Sequence, residues 1–232
     1  TLYAVLHALN TPEVNIVTVE DPVEYEMHRI NQVHVNVDAG LTFAKTLRAI
    51  LRQDPNIIMI GEIRDLETLE IASRAAMTGH LVLSTLHTND AASTIIRMTD
   101  MGCEPFLIAS SVIMISGQRL MRTLCEKCKE PHNYPPEFLA RIRVPEYREK
   151  QFWRARGCPD CKNRGYKGRL AIMEALTIDD PIRDMIIRKA TSSEIQNYAI
   201  KNQNMMTLHE NALSKAAQGI TSLEEVFRVT GQ

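Results

Sequence analysis

"NIIMIGEIRD" (residues 56–65) is the stretch that decides the fold of this chain. Its apolar run, 57–60, has the length and β-branched character of a buried strand. Gly61 interrupts the run, and three charged residues follow it closely: Glu62, Arg64 and Asp65. Since ligands of parallel sheets bind at the carboxyl ends of the strands, a carboxylate at this position indicates a site where chemistry is performed.

The sequence around this strand alternates between short β-rich runs and amphipathic segments up to about Gly117. Strands are predicted at 15–20, 30–36, 56–63 and 80–87. Helices are predicted at about 42–53, 66–78 and 90–101, with another starting at Pro105. This alternation predicts an α/β domain with a largely parallel sheet. Polar groups then fall at the strand ends: Glu20 with Asp21, Glu62 and His87.

The composition is ordinary for a soluble globular protein. The 232 residues are 44% hydrophobic and 24% charged, with a net charge of −1. No apolar run has the length of a membrane span and no signal peptide opens the chain. The first residues are already in helical phase and lack a methionine, so we expect a piece of a longer protein.

The charge is distributed unevenly along the chain. Residues 119–169 carry 14 Lys or Arg against 6 Asp or Glu, while the remainder carries 13 against 22. A basic module is therefore set into an acidic body. It holds four of the five cysteines; Cys103 lies outside it and is interpreted as a small core residue.

The four cysteines of the basic module have metal-ligand spacing. They form two Cys-x-x-Cys pairs separated by 29 residues: Cys125, Cys128, Cys158 and Cys161. Two such turns complete a tetrahedral thiolate site, which predicts a structural zinc ion. Disulfides are the weaker alternative, because nothing indicates an oxidising compartment. Reduced or vestigial thiols are the other alternative.

Two acidic segments are candidates for metal or water chemistry. In "VEDPVEYE" (19–26), the carboxylates of Glu20, Asp21 and Glu24 could hold a divalent cation or orient a water. Glu62 could bind magnesium through water or polarise a nucleophile. The alternatives are a solvated acidic turn and, for Arg64 and Asp65, a surface pair and a helix cap.

The fourth strand ends in a polar group. "HLVLSTLHTND" (80–90) brings Ser84, Thr85 and His87 to one strand end, where they could contact a phosphate or a water. A satisfied structural histidine is the alternative. The hypothesis of a shared site gains support because the acidic segment, Glu62 and His87 each close a successive strand.

The chain after Gly168 is predicted to be mostly helical. Residues 170–176 read as a last strand, and Asp179, Thr191, Thr207 and Ser222 have the positions of helix caps. These helices are expected to form a small bundle. The expected domains are thus 1–118, 119–169 and 170–232.

Three segments resemble the conserved boxes of the secretion ATPase superfamily. "TVEDPVEY" resembles its Asp box, "LRAILRQDPNIIMIGEIRD" its Walker B box and "TGHLVLSTLHTNDA" its His box. The cysteine spacing narrows the resemblance to the assembly ATPases of type II secretion and type IV pilus systems. Pilus retraction ATPases share the boxes but typically lack the cysteines.

This resemblance implies a truncated RecA-like P-loop NTPase core with an inserted tetracysteine zinc module and a C-terminal helical bundle. Glu20 and Glu62 would be catalytic carboxylates, and His87 would lie near the γ-phosphate. Arg48, Arg52, Asp21, Glu24 and Thr85 would contribute to binding ATP and Mg²⁺. The family's Gly-Lys-Thr phosphate loop is missing here and is expected just upstream of Thr1, so we expect the chain alone to be inactive.

The resemblance also implies partners and a location. The full-length protein would be a homohexamer in the cytoplasm, bound peripherally to the inner face of the bacterial cytoplasmic membrane through platform proteins of the machine. Nucleic acid is not an expected partner. The alternative function is a zinc-stabilised basic module that binds single-stranded nucleic acid through arginines interleaved with Phe152, Trp153 and Tyr166.

Overall fold

A computed structural model describes residues 1–231, which form ten α-helices and eight β-strands. In chain order they are α1 (Leu2–Leu9), β1 (Ile16–Glu20), β2 (Ile30–His34), α2 (Phe43–Ile50), β3 (Ile57–Ile60), α3 (Leu66–Met77), β4 (Leu81–Ser84), α4 (Ala91–Asp100), α5 (Pro105–Ser111), β5 (Met114–Leu124), β6 (Lys129–His132), α6 (Pro136–Leu139), β7 (Phe152–Ala155), β8 (Tyr166–Thr177), α7 (Asp180–Ile187), α8 (Ser192–Asn202), α9 (Leu208–Ala217) and α10 (Leu223–Thr230). The predicted strands and helices of the first half are all present, with shorter strand ends.

The chain forms two compact units. The first contains Thr1–Ile115 and Thr177–Ile195, and the second contains Ser116–Leu176 and Gln196–Gln232. The domain boundaries expected from the sequence, after residues 118 and 169, stay a prediction.

The first unit is built on a parallel sheet with strand order β2-β1-β3-β4, as the alternating pattern predicts. One face of the sheet packs against Leu6 of α1 through Ile16, Ile57 and Met59. The alternate residues of β1 and β3 are buried as well. Burial on both faces explains why these strands are continuously apolar rather than alternating.

Side-chain caps set the starts of the helices that follow the sheet strands. Asp65 begins α3, because its carboxylate accepts a hydrogen bond from the Thr68 amide at 2.8 Å. Asp90 begins α4 with a reciprocal capping box to Ser93. Each cap satisfies an amide that the first helical turn leaves unpaired. The sequence interpretation of Asp65 as a helix cap is confirmed.

The second unit combines the cysteine module with most of α8 and with α9 and α10. Strands β6 and β7 pair antiparallel, and β5 pairs with β8. A shared hydrophobic core includes Phe152 of β7, Ile172 of β8, Leu213 of α9 and Phe227 of α10. The predicted C-terminal bundle is not confirmed: α7 contacts α5 in the first unit, whereas α9 and α10 contact β7. The apolar faces of α9 and α10 are covered by the cysteine module instead.

In the described part of the chain, residues 1–231, every helix is too short or too polar to cross a lipid bilayer.

Candidate functional site at the sheet edge

Glu62, two residues beyond β3, contacts two side chains. The Arg64 guanidinium donates a hydrogen bond to its Oε1 atom. The His87 Nε2 atom lies 3.4 Å from its Oε2 atom. Only 16% of the Glu62 side chain is exposed, compared with 88% for His87. The carboxylate is therefore held in a partly buried position, whereas the imidazole is open to solvent.

The Arg64 hydrogen bond lowers the pKa of Glu62 below its ordinary value, with burial opposing the shift and the charges of Arg64 and His87 adding to it. Asp21 lies close enough to Arg64 to raise the pKa of that guanidinium further, after the larger effects of the Glu62 hydrogen bond and charge. Arg64 and His87 thus both lie against the Glu62 carboxylate, and Asp21 acts on Arg64 through its charge.

Glu20, the last residue of β1, is buried at 4% exposure. Tyr3 of α1 donates a hydrogen bond to its Oε2 atom. Its Oε1 atom accepts hydrogen bonds from Thr18 Oγ1 at 2.5 Å and from Gln32 Nε2 at 3.2 Å. Such a network holds the carboxylate in one orientation.

The ends of β1 and β3 run side by side. The Gly61 amide donates to the Val19 carbonyl at 2.8 Å. A Cβ added at Gly61 would lie 3.4 Å from the Glu20 Cα. Glu20 and Glu62 therefore close neighbouring strands at the carboxyl edge of the sheet, where parallel sheets bind ligands.

The other predicted site residues are Arg48, Arg52, Thr85 and Glu24, and their described contacts are with groups other than the Glu20 and Glu62 carboxylates. Arg48 pairs with Glu67 at 2.5 Å, and both side chains are exposed. Arg52 is exposed in the turn after α2. The Thr85 hydroxyl donates to the Gly61 carbonyl at 2.7 Å. This bond ties the end of β4 to the end of β3. Glu24 is exposed, and its amide donates to the Tyr3 hydroxyl.

The four cysteines of the second unit form a cluster. Their sulfur atoms all lie within 4.8 Å of one another. The Sγ atoms of Cys125 and Cys158 are 3.9 Å apart, and those of Cys128 and Cys161 are 3.8 Å apart. Sulfurs at the corners of a tetrahedron around zinc, each about 2.3 Å from the metal, would be about 3.8 Å apart. The donor set and its spacing fit a zinc ion.

The backbone around the cluster supports this geometry. The amides of Cys158 and Gly165 point at the Cys161 sulfur, at 3.2 and 3.1 Å. Amides directed at a sulfur stabilise a thiolate. A side chain at Gly165 would bring a Cβ within 2.5 Å of the Ala155 Cβ, and the residue has φ +74°, so only glycine fits there.

Phe152, Trp153 and Tyr166 of the basic module pack against other residues of the second unit. Phe152 is buried at 1% exposure. The Trp153 ring packs against Gly219, and a Cβ added at Gly219 would lie 3.1 Å from the ring. The Tyr166 hydroxyl bonds Ser222, and the Arg122 guanidinium stacks on the Tyr166 ring at 4.2 Å. This packing disfavours base stacking, on which the nucleic-acid alternative depends.

Sequence reasoning missed two residues of the sheet edge. From the sequence alone, Tyr3 receives no role, and Arg64 is interpreted only as part of a surface pair. The pairing of Arg64 with Glu62 had a signal, since the two are separated by one residue. The contact of Tyr3 with Glu20 spans 17 positions, and no local pattern indicates it.

The fold and the sheet-edge groups define an α/β protein with acidic groups at its strand ends and with a separate cluster of four cysteines that could hold a metal. Residues 1–228 match the family model described as "Type II/IV secretion system protein". The chain belongs to this family, and the resemblance stated from the sequence is confirmed.

Several relatives are named secretion or pilus ATPases. The type IV pilus assembly ATPase PilB of Thermus thermophilus is 50% identical over 232 residues, which are 99% of this chain and 26% of that protein. The type II secretion system ATPase E of Vibrio cholerae is 48% identical over 230 residues, 99% of this chain and 45% of that protein. The chain therefore spans less than half the length of these relatives.

Solved structures agree on the fold. The pilus retraction motor PilT with bound ADP superposes with a TM-score of 0.70 at 28% sequence identity, covering 98% of this chain and 56% of PilT. The ATPase DotB of Legionella pneumophila gives a TM-score of 0.66 at 25% identity, covering 97% of this chain and 54% of DotB.

Proposed function

We propose that this chain is the carboxyl-terminal part of a hexameric motor ATPase that couples ATP hydrolysis to pseudopilus or pilus assembly. The observation that carries the proposal is the position of Glu20, Glu62 and His87 at the ends of neighbouring parallel strands. The names of the relatives, secretion and pilus assembly ATPases, support the same class.

In this proposal the strand-end groups act on a magnesium-bound triphosphate. Oxygen ligands suit Mg²⁺, which retains several of its waters and binds few protein carboxylates. Glu62 would hold the ion through water, aided by Asp21 and Glu24. Glu20 would orient the attacking water, because its carboxylate is fixed by three donors. Phosphoryl transfer from ATP to water depends mainly on positioning of the reacting groups and on neutralisation of the phosphate charge.

Three further residues would complete the nucleotide site. His87 is exposed and can swing from Glu62 to a phosphate oxygen. Arg48 and Arg52 carry exposed guanidinium groups that suit phosphate oxygens. The Thr85 hydroxyl is bonded to the Gly61 carbonyl and would keep the ends of β3 and β4 in register rather than bind the nucleotide directly.

The zinc ion in this proposal is structural. Four thiolates fill a tetrahedral coordination sphere and leave no position for a substrate. Cys125, Cys128, Cys158 and Cys161 would hold it. The basic residues 119–169 would place the cytoplasmic hexamer peripherally at the inner face of the membrane, against platform proteins of the machine.

The test is ATP hydrolysis by the full-length protein that contains this chain. We expect magnesium-dependent turnover that Glu62→Gln or Glu20→Gln abolishes. The control is Glu104→Gln, because Glu104 is exposed and its side chain caps no amide of α5. Turnover that survives Glu62→Gln would contradict the proposed role of this carboxylate.

The 232 residues by themselves are expected to hydrolyse ATP at no measurable rate. They contain no Gly-Lys-Thr or Gly-Lys-Ser sequence. The amides and lysine of such a loop supply much of the phosphate cradle. Steady hydrolysis by the purified 232-residue chain, removed by Glu62→Gln, would contradict this expectation.

A further inference from the structure

The Glu20 carboxylate is unusual among the acidic groups of the sheet edge because it is buried and held from three directions. Tyr3 reaches it from α1, Thr18 from its own strand and Gln32 from β2. Asp21 and Glu24, which follow in the chain, are exposed. A buried charge is costly unless hydrogen bonds satisfy it, so these donors determine how Glu20 can be used.

We propose that Tyr3 is a positioning residue for the reaction, which fixes the Oε2 atom of Glu20 so that it can accept a hydrogen bond from the attacking water. The inference rests on the proposed function, since it assumes that Glu20 activates that water. It adds a residue from α1 to a site otherwise built from strand ends.

The number of hydrogen bonds leaves room for one water. An ionised carboxylate has about four lone-pair sites, two on each oxygen. Thr18 and Gln32 occupy both sites of Oε1. Tyr3 occupies one site of Oε2. The remaining acceptor site is on the oxygen that Tyr3 fixes, so the Tyr3 hydroxyl determines the direction in which that site points.

The Tyr3 hydroxyl is itself held in place. It accepts a hydrogen bond from the Glu24 amide at 3.1 Å, which leaves its proton for Glu20. The Tyr25 ring packs edge-on against the Tyr3 ring, with centroids 4.6 Å apart. Burial, and then the hydrogen bond to Glu20, raise the pKa of Tyr3 above its ordinary value. The hydroxyl therefore stays protonated and remains a donor.

These contacts also join the acidic turn to the carboxylate. One hydroxyl bridges the Glu24 amide and the Glu20 side chain, and Gln32 bridges the Tyr25 carbonyl, the Met27 amide and Glu20. Loss of the Tyr3 hydroxyl would release Oε2 without removing any charge. A misplaced group of this kind affects the transition state more than substrate binding.

The kinetic test is Tyr3→Phe in the full-length protein. The ring and its packing remain, and only the donor is lost. We expect kcat to fall about 10- to 100-fold, because a misplacement of about 1 Å can cost about 10²-fold. The KM for ATP should stay within about twofold, since both hydrogen bonds of the hydroxyl go to protein groups, the Glu20 carboxylate and the Glu24 amide. Thr18→Val removes a second donor and should lower kcat in the same way.

The matched control is Tyr25→Phe. Its ring touches Tyr3, but within residues 1–231 its hydroxyl has no hydrogen-bond partner. It should leave both kcat and KM unchanged. Equal losses in Tyr3→Phe and Tyr25→Phe would overturn the proposal, because a general loosening of the turn would then explain both.

A stability cycle on the 232-residue chain tests the contact without activity. The melting temperatures of Tyr3→Phe, Glu20→Gln and the double variant should be non-additive, because the two groups contact each other directly. If the decreases in melting temperature of the two single variants add up to that of the double variant, the proposed coupling of Tyr3 and Glu20 is wrong. Full turnover in Glu20→Gln would contradict the proposed function instead. Wild-type kcat in Tyr3→Phe together with an inactive Glu20→Gln would overturn only the role of Tyr3.

Discussion

The Nε2 atom of His87 lies 3.4 Å from the Oε2 atom of Glu62, although the His87 side chain is 88% exposed. Within residues 1–231, the imidazole is held at the site by its contact with this carboxylate alone. A side chain with one such contact can rotate at little cost, as the proposed contact of His87 with a phosphate oxygen requires. The contact links the segment after β4 with the segment after β3, and the orientation of the His87 ring depends on it.

Replacement of His87 by alanine in the full-length protein should lower kcat about 10²-fold, the typical contribution of a positioned proton-transfer or hydrogen-bonding group. Folding should be unaffected, because an exposed side chain leaves no cavity. Steady-state kinetics and the melting temperature measure the two effects. His7→Ala, an exposed histidine in the last turn of α1, is the control and should behave as wild type.

Arg64 should compete with magnesium for Glu62. Its guanidinium bonds the carboxylate directly and lowers the pKa of Glu62, with burial opposing. Removal of this partner in Arg64→Ala should reduce the Mg²⁺ concentration for half-maximal ATP hydrolysis about two- to fivefold, since an ion pair with a solvent-exposed guanidinium is weak. Arg97→Ala, at an exposed position of α4, is the control. An increased magnesium requirement would show that Arg64 assists binding of the metal.

The Glu225 carboxylate should make the second unit sensitive to acid. It is fully buried and accepts hydrogen bonds from the Arg122 amide and from the guanidinium groups of Arg122 and Arg228. Burial by itself raises the pKa of Glu225, but the bonds from Arg228 and Arg122 outweigh it and lower the pKa to about 2. Replacement by glutamine should cost about 2–3 kcal/mol of unfolding free energy at neutral pH, the magnitude expected for hydrogen bonds to a charged group.

The sign of the pH effect follows from this lowered pKa. The ordinary pKa of a glutamate is 4.5, and that of Glu225 in the folded chain is about 2. Between these two pH values, Glu225 is protonated in the unfolded chain but stays ionised in the folded chain. Stability from Glu225 is therefore complete above pH 4.5 and is lost as the pH falls towards 2. The unfolding free energy, measured by urea denaturation at several pH values in this range, should change less steeply with pH in Glu225→Gln than in the wild type. Glu146→Gln, at an exposed site of the same unit, should keep the wild-type slope.

Much of the first unit could be predicted because local signals agree with the fold. The apolar run of β3, the Asp65 cap and the helical period of α3 are all encoded within a few residues. Glu62 could be recognised as a candidate for the same reason, since a carboxylate after a buried strand is visible in the sequence. His87 was placed by the same argument applied to β4.

The second unit was harder to predict because its contacts are long-range. Ser222 and Glu225 have capping-box spacing, and Ser222 does accept from the Glu225 amide at 3.3 Å. The Glu225 side chain, however, bonds Arg122, which is 103 positions away. The cap residues Thr207 and Ser222 predicted the starts of α9 and α10 but could not show that Phe152 and Ile172 would cover these helices.

The cysteine cluster should hold one zinc ion per chain and should be needed to fold residues 125–161 of the second unit. Cys128 directly precedes β6 and Cys158 follows β7 closely, so the metal would join the two strands where Lys129 pairs with Ala155. Structural zinc binding amounts to about 10–16 kcal/mol in small domains, which is as large as the about 5–15 kcal/mol that stabilises a whole domain. Replacement of Cys158 by alanine should therefore abolish zinc binding and unfold residues 125–161.

Metal analysis and hydrogen exchange measure these effects together. In Cys158→Ala, the amides of β6 and β7 should exchange freely, and those of α9 and α10 should exchange faster because they share the core with Phe152. The amides of β1 and β3 should remain protected, since they belong to the first unit. Cys103→Ala is the control, because Cys103 is buried in the first unit and lies outside the cluster. Freshly purified, reduced protein without stoichiometric zinc, yet with β6 and β7 fully protected, would show that the thiols pack without a metal.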